Sequence, residues 1–128
     1  MSREFEYTVK KKITEKDITN LIVDGLETGV GYWATLHNDT DEFKKYYNTT
    51  DLATSEIVAK ILLDGGSVKI TDIEEGEEPK FDFTLERLLI GIQKNAEERP
   101  HDCDLENYDG ITCDCIIQYA IFDDVIFG

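Results

Sequence analysis

The sequence predicts an α+β domain: a small, mostly antiparallel sheet with three to four helices packed against it. Three observations predict it. Apolar residues make up 41% of the 128-residue chain and are spread along all of it, so a packed core is expected rather than disorder. Their spacing switches between the period of two that half-buries a strand and the period near 3.6 that half-buries a helix. The segments so defined follow the order β-α-β-α-β-β-α-α, with no repeat, linker or low-complexity tract between them, which fits a single domain over residues 1–128.

Residues 3–10 alternate Phe5, Tyr7 and Val9 with polar neighbours and read as a half-buried strand, followed by the basic cluster Lys10–Lys12. Thr14, with Asp17 three residues on, resembles a capping box. Ile18, Leu21, Ile22 and Leu26 then recur at helical spacing, so a helix is expected over about residues 15–28, stopping at Gly29 and Gly31. Tyr32–His37 is short, aromatic-led and extended in character. Residues 38–51 are polar, with Phe43, Tyr46 and Tyr47 interspersed, and read as a surface excursion.

Thr54 or Ser55 can cap a second helix, whose buried stripe is Ile57, Val58, Ile61 and Leu62 and whose end is Gly65-Gly66. Ser67–Ile73 and Lys80–Thr84 form the arms of a hairpin around an acidic turn. Thr84 caps a third helix with Leu85, Leu88, Leu89 and Ile92 at i, i+3, i+4 and i+7, ending before Pro100. After an acidic loop over 101–110, Ile116, Ile117, Ala120 and Ile121 suggest a short final helix, and Val125–Phe127 an apolar tail that docks on the core.

Charge sets this chain apart. It carries 28 acidic and 13 basic residues, net −15. Residues 1–71 account for −3 and residues 72–128 for −12, with no Lys or Arg after Arg99. Such a surface repels phosphate backbones, so direct nucleic-acid binding is not expected. It attracts a basic surface; the plainer reading is that the acids serve solubility. No apolar run reaches the roughly 20 residues of a membrane span. Met1 to Lys12 lacks the apolar core of a secretory signal, so a cytoplasmic setting with reduced thiols is expected.

Signals for catalysis are sparse, and no enzyme is expected. There is no Gly-x-Ser-x-Gly elbow, and neither Gly29-Val30-Gly31 nor Gly65-Gly66 continues into a phosphate-binding motif. Cys103, Cys113 and Cys115 could on paper pair with His37 or His101, but nothing orients such a pair.

The segment 101–115 is the densest in potential ligands. His101, Cys103, Cys113 and Cys115 could supply the four donors of a zinc site. Their spacing is tight, and two cysteines two apart in one helix point to nearly opposite faces. The set therefore requires Cys113 to lie at or before the helix start. The plainer reading is three reduced cysteines, with Cys115 in the core. A calcium loop fits less well: Asp102, Asp104 and Glu106 match its first odd positions, but Asn107 stands where glycine is needed and Cys113 where a bidentate glutamate belongs. Trp33, Tyr32, Tyr46, Tyr47 and Tyr108 are of the types that anchor interfaces, although each also suits a core.

The elements Leu26-Glu27-x-Gly29-x-x-Tyr32-Trp33, Gly65-Gly66, Asp72 and Glu74, Leu88–Gly91, Ile116-Ile117-Gln118-Tyr119-Ala120 and the closing Phe127-Gly128 together resemble a family of small proteins encoded by phages and prophages of Gram-positive bacteria. The resemblance spans nearly the full length, while the cysteine-bearing stretch 101–115 is not part of the pattern. Some phage proteins of this size and acidity are anti-CRISPR proteins that inhibit Cas9. What the resemblance implies is a phage setting and an inhibitor acting in the host bacterial cell; zinc is an expectation from the residues of 101–115 alone. The expected contact residues are the acids of the hairpin loop, Asp72, Glu74, Glu75, Glu77 and Glu78, and those of the second loop, Asp102, Asp104, Glu106 and Asp109. Two other readings stand beside it. One is a pocket that sequesters a defence nucleotide second messenger, and the other is a phage protein without a defence role.

Overall fold

Thr14 opens the first helix as its sequence requires. Its hydroxyl accepts from the Asp17 amide at 3.1 Å, and the Asp17 carboxylate accepts from the Thr14 amide at 3.0 Å. The computed structural model describes residues 3–38, 40–47, 52–74 and 81–128. Helix α1 runs Glu15–Asp24 and continues into a π-helical turn, Gly25–Gly29. Strand β1 follows at Ala34–His37, helix α2 at Asp41–Tyr47 and helix α3 at Thr54–Leu63. Strands β2 (Ser67–Asp72) and β3 (Phe81–Thr84) lead into helix α4, Leu85–Glu98. A short 3₁₀ turn, Pro100–Asp102, precedes helix α5, Gly110–Phe122.

The architecture is α+β. Five α-helices among the described residues surround a three-stranded antiparallel sheet of order β1-β2-β3. The register sets Leu36 beside Ile70 and Ile70 beside Phe81, with Val68 beside Phe83. Val68, Ile70 and Phe83 are buried on the helix-facing side. The opposite side carries His37 against Thr71 and a Lys69–Asp82 ion pair. Alternation along each strand thus divides the sheet into one apolar and one polar face.

Local signals placed several boundaries. The Thr84 hydroxyl accepts from the Arg87 amide at 3.2 Å, as expected of the α4 cap. At the end of α3, Gly65 adopts a left-handed φ of 89°, which lets the Gly66 amide return to the Ile61 carbonyl at 2.8 Å. The tail docks as expected, with the Phe127 ring stacked on Trp33 at 5.4 Å.

Four expectations are corrected. Residues 3–14 form no strand, and Phe5, Tyr7 and Val9 stand 79%, 88% and 63% exposed. Their alternation is a property of the segment, but a strand needs a neighbour to pair with. The excursion over 38–51 contains α2, which the fully buried Phe43 pins to the core. Neither Thr54 nor Ser55 caps α3: Ala53 occupies that position, the Glu56 carboxylate accepts from its amide, and Ser55 instead donates to Glu27 at 2.8 Å. Finally, α5 begins at Gly110, well before Ile116, because Asp109 caps it reciprocally with Thr112.

Candidate functional site

Helix α5 is the centre of the molecule, with every residue from Thr112 to Ala120 buried. A helix apolar on all sides shows no amphipathic period, which is why its length was not legible. Three polar residues interrupt it, and each is satisfied by a specific partner. The Asp114 carboxylate accepts from Tyr32 Oη at 2.6 Å, from Trp33 Nε1 at 2.7 Å and from Gln118 Nε2 at 2.9 Å. Gln118 Oε1 accepts from the amides of Ile126 and Phe127, both at 2.8 Å, and its Nε2 donates to the Phe127 carbonyl at 3.0 Å. Elements far apart in the chain therefore meet on one face of α5: the Tyr32-Trp33 pair, Gln118 and the closing residues.

Beside this network lies an open cleft of about 740 Å³, lined by Thr28, Gly29, Tyr32, Asp109, Gly110, Ile111, Asp114 and Gly128. Tyr32 and Ile111 present exposed surface there, at 51% and 65%. Burial, then the bond to Asp114, pushes the Tyr32 phenol up to about 12, so it remains a neutral donor at physiological pH. Two carboxylates line the cleft, and no described lysine or arginine does. Chemically it offers hydrogen-bond acceptors beside an apolar wall, which suits a basic side chain better than a phosphate.

The four potential zinc donors are not brought together. His101 is exposed in the 3₁₀ turn. Cys103 is half-buried, its thiol directed at the Pro100 carbonyl at 3.3 Å. Cys113 and Cys115 are both inside α5, two positions apart and buried. The condition that Cys113 precede the helix is thus not met. Burial pushes the Cys113 thiol up to about 12 and the Cys115 thiol upward as well, which favours the neutral forms over the thiolates a metal requires. Among the described residues, no group of three or more His, Cys, Asp or Glu side chains is placed to hold a metal ion.

The acidic residues divide by role. Glu75, Glu77 and Glu78 lie outside the described residues. Asp72 is buried and accepts from the Glu74 amide at 3.0 Å, leaving Glu74 exposed beyond it. Asp102 is half-buried; the Thr112 hydroxyl at 2.6 Å and the Arg99 guanidinium at 2.9 Å hold its carboxyl below the usual range. Asp109 caps α5 with an otherwise exposed side chain. Asp104 closes a local turn by accepting from the Glu106 backbone amide and from Asn107 Nδ2, and both Asp104 and Glu106 are exposed. Four of the six described candidates, Asp72, Asp102, Asp104 and Asp109, thus accept hydrogen bonds from the chain itself, and three of the four exposed ones, Asp104, Glu106 and Asp109, gather on the connection into α5.

Asp114 and Gln118 were missed as organising residues. The available signal was a polar pair four apart within an apolar run, which on a helix shares one face. Among the described residues, no helix is long and apolar enough to cross a membrane. Compared with protein-family models, curated proteins and solved structures, the chain matches none of them.

Proposed function

We propose that this chain is a phage-encoded, anti-CRISPR-type inhibitor that binds Cas9 through an acidic surface and hinders target-DNA loading or cleavage. One observation carries the reading: residues 72–128 hold 16 acids against 4 bases, and none of those bases follows Arg99. The channels of RNA-guided nucleases are lined with Lys and Arg that grip nucleic-acid backbones. A surface of opposite sign is steered onto such a channel and competes for the same cations. Exposed Asp104, Glu106 and Asp109 supply the charge, and Tyr32 and Ile111 at the adjoining cleft supply apolar area for a specific contact.

The test is a pull-down with Cas9 loaded with guide RNA, alongside a DNA-cleavage assay at low and physiological salt. The expected result is a complex and a loss of cleavage that weakens as salt rises. Full cleavage with no complex at low salt overturns the reading.

A further inference from the structure

The two walls of the cleft beside Asp114 meet backbone against backbone. Gly29 ends the π-helical turn so close to α5 that a Cβ there would come within 3.0 Å of the Gly110 carbonyl oxygen and 3.3 Å of the Asp114 amide nitrogen. A Cβ on Gly110 would in turn meet Thr28 Oγ1 at 3.3 Å. The Val30 amide closes the turn on the Gly25 carbonyl at 2.9 Å, and π-helical turns recur at functional sites. The cleft is therefore shaped before any ligand arrives, which lowers the ordering cost of binding.

What its walls offer is one-sided. Thr28 Oγ1 donates to the Asp24 carbonyl at 2.7 Å, and Tyr32 Oη donates to Asp114 Oδ2 at 2.6 Å. These are the only hydroxyl donors among the described lining residues, so their protons are already engaged. Asp109 accepts from the Thr112 amide and hydroxyl on Oδ1 alone, which leaves Oδ2 an open acceptor on an exposed side chain. The opening amides of α5 act the other way, but a helix end carries only about half a positive charge. Against it stand the carboxylates of Asp109 and Asp114, so the net field favours a cation. Tyr32 is half-exposed with its hydroxyl tied down, and presents a ring of fixed orientation. Ile111 adds exposed apolar surface.

We infer that this cleft takes an arginine side chain presented by a partner protein, with the guanidinium on Asp109 Oδ2 and its flat face along the Tyr32 ring. A guanidinium supplies donors only, in a plane that both stacks on an aromatic ring and forks onto a carboxylate. Lysine has the charge without the plane. Free arginine brings its own carboxylate toward Asp109, and a nucleotide brings phosphate. An arginine within a peptide chain brings neither. At about 740 Å³ the cleft also has room for the residues flanking it. The inference rests on the reading of this chain as a binder of a basic protein, and names where that partner is anchored.

Amide NMR of the isotope-labelled full chain, titrated with a blocked Gly-Arg-Gly peptide, tests it without any nuclease. Saturable shifts at Gly29, Tyr32, Ile111 and Asp114 are expected. Binding should be about threefold weaker for the lysine peptide, and weaker still for one with citrulline, the uncharged isostere of arginine. Asp109→Asn keeps a good helix cap while removing the charge. It should weaken binding about fivefold, with an unfolding midpoint close to that of the parent. Ile111→Lys, at an exposed position, should weaken it by repulsion. An absence of cleft shifts at millimolar arginine peptide overturns the inference. So does citrulline binding equal to arginine, or binding that Asp109→Asn leaves unchanged. Larger shifts at these residues with inorganic phosphate also overturn it, by marking an anion site at the start of α5. A Cas9 complex that both variants leave at full strength overturns the cleft and spares the inhibitor reading. Peptide binding without a Cas9 complex supports the cleft and removes only the choice of nuclease.

Discussion

Asp114 Oδ1 accepts a hydrogen bond from Trp33 Nε1 at 2.7 Å, joining residues 81 apart in the sequence. Both are buried, Trp33 completely. A carboxylate taken out of water is costly unless its lone pairs are filled. Here three side-chain donors fill them, and one of those donors, Gln118, also fixes the closing residues. The bond therefore ties the turn that leads into β1, the central helix and the tail into one unit.

Asp114→Ala leaves the Trp33 indole N–H buried without its acceptor and leaves Gln118 Nε2 with the Phe127 carbonyl but without the carboxylate. We expect a loss of about 3 kcal/mol in urea unfolding, the range for removing one partner of a buried charged hydrogen bond. Asp114→Asn, which keeps one carbonyl acceptor, should lose less. Trp33 is the only tryptophan, so its native fluorescence reports on the network directly.

Gly91 marks the closest approach of α4 to α5. A Cβ there would strike the Ile116 carbonyl oxygen and come within 2.9 Å of the Ala120 amide nitrogen, both of them backbone atoms. Alanine is the better helix former by roughly 1 kcal/mol, yet Gly91→Ala should destabilise by about 3 kcal/mol because backbone cannot rotate out of the way as a side chain can. A higher denaturation midpoint for this variant would contradict the packing described.

Thiol chemistry should separate the three cysteines. Cys103 is expected to react with a maleimide in the native protein, and Cys113 and Cys115 only after unfolding. The pH dependence has a definite sign. Burial raises the folded Cys113 thiol from an ordinary 9.0 to about 12, so the unfolded chain releases this proton first. Its contribution to stability is complete below pH 9 and falls as pH rises from there toward 12. Urea midpoints measured across that window should decline, and Cys113→Ala should make the decline shallower.

Reversing charge at Asp104 and Glu106 together, to lysine, should weaken a complex with a basic partner about tenfold or more, which corresponds to about 1.4 kcal/mol. Both side chains are exposed, so the unfolding midpoint should stay close to that of the parent. Reversal at Asp72 should instead damage folding, since that carboxylate is buried.

The sequence by itself determined the α+β class, the caps at Thr14 and Thr84, the stop at Gly65-Gly66 and the β2–β3 hairpin. Each of these is decided within a few residues, by a side chain reaching its own backbone, by a turn, or by a face repeating every second or fourth position. Tertiary structure decided the rest. Residues 3–10 have the alternation of a strand but no partner strand among the described residues. Helix α5 begins at Gly110 because Thr112 and Asp109 satisfy each other. Asp114 and Asp72 differ from Asp104 and Glu106 only in what surrounds them. Whether a carboxylate organises a core or faces a partner depends on burial and on donors contributed by distant elements. Neither quantity can be read from the residues on either side of it.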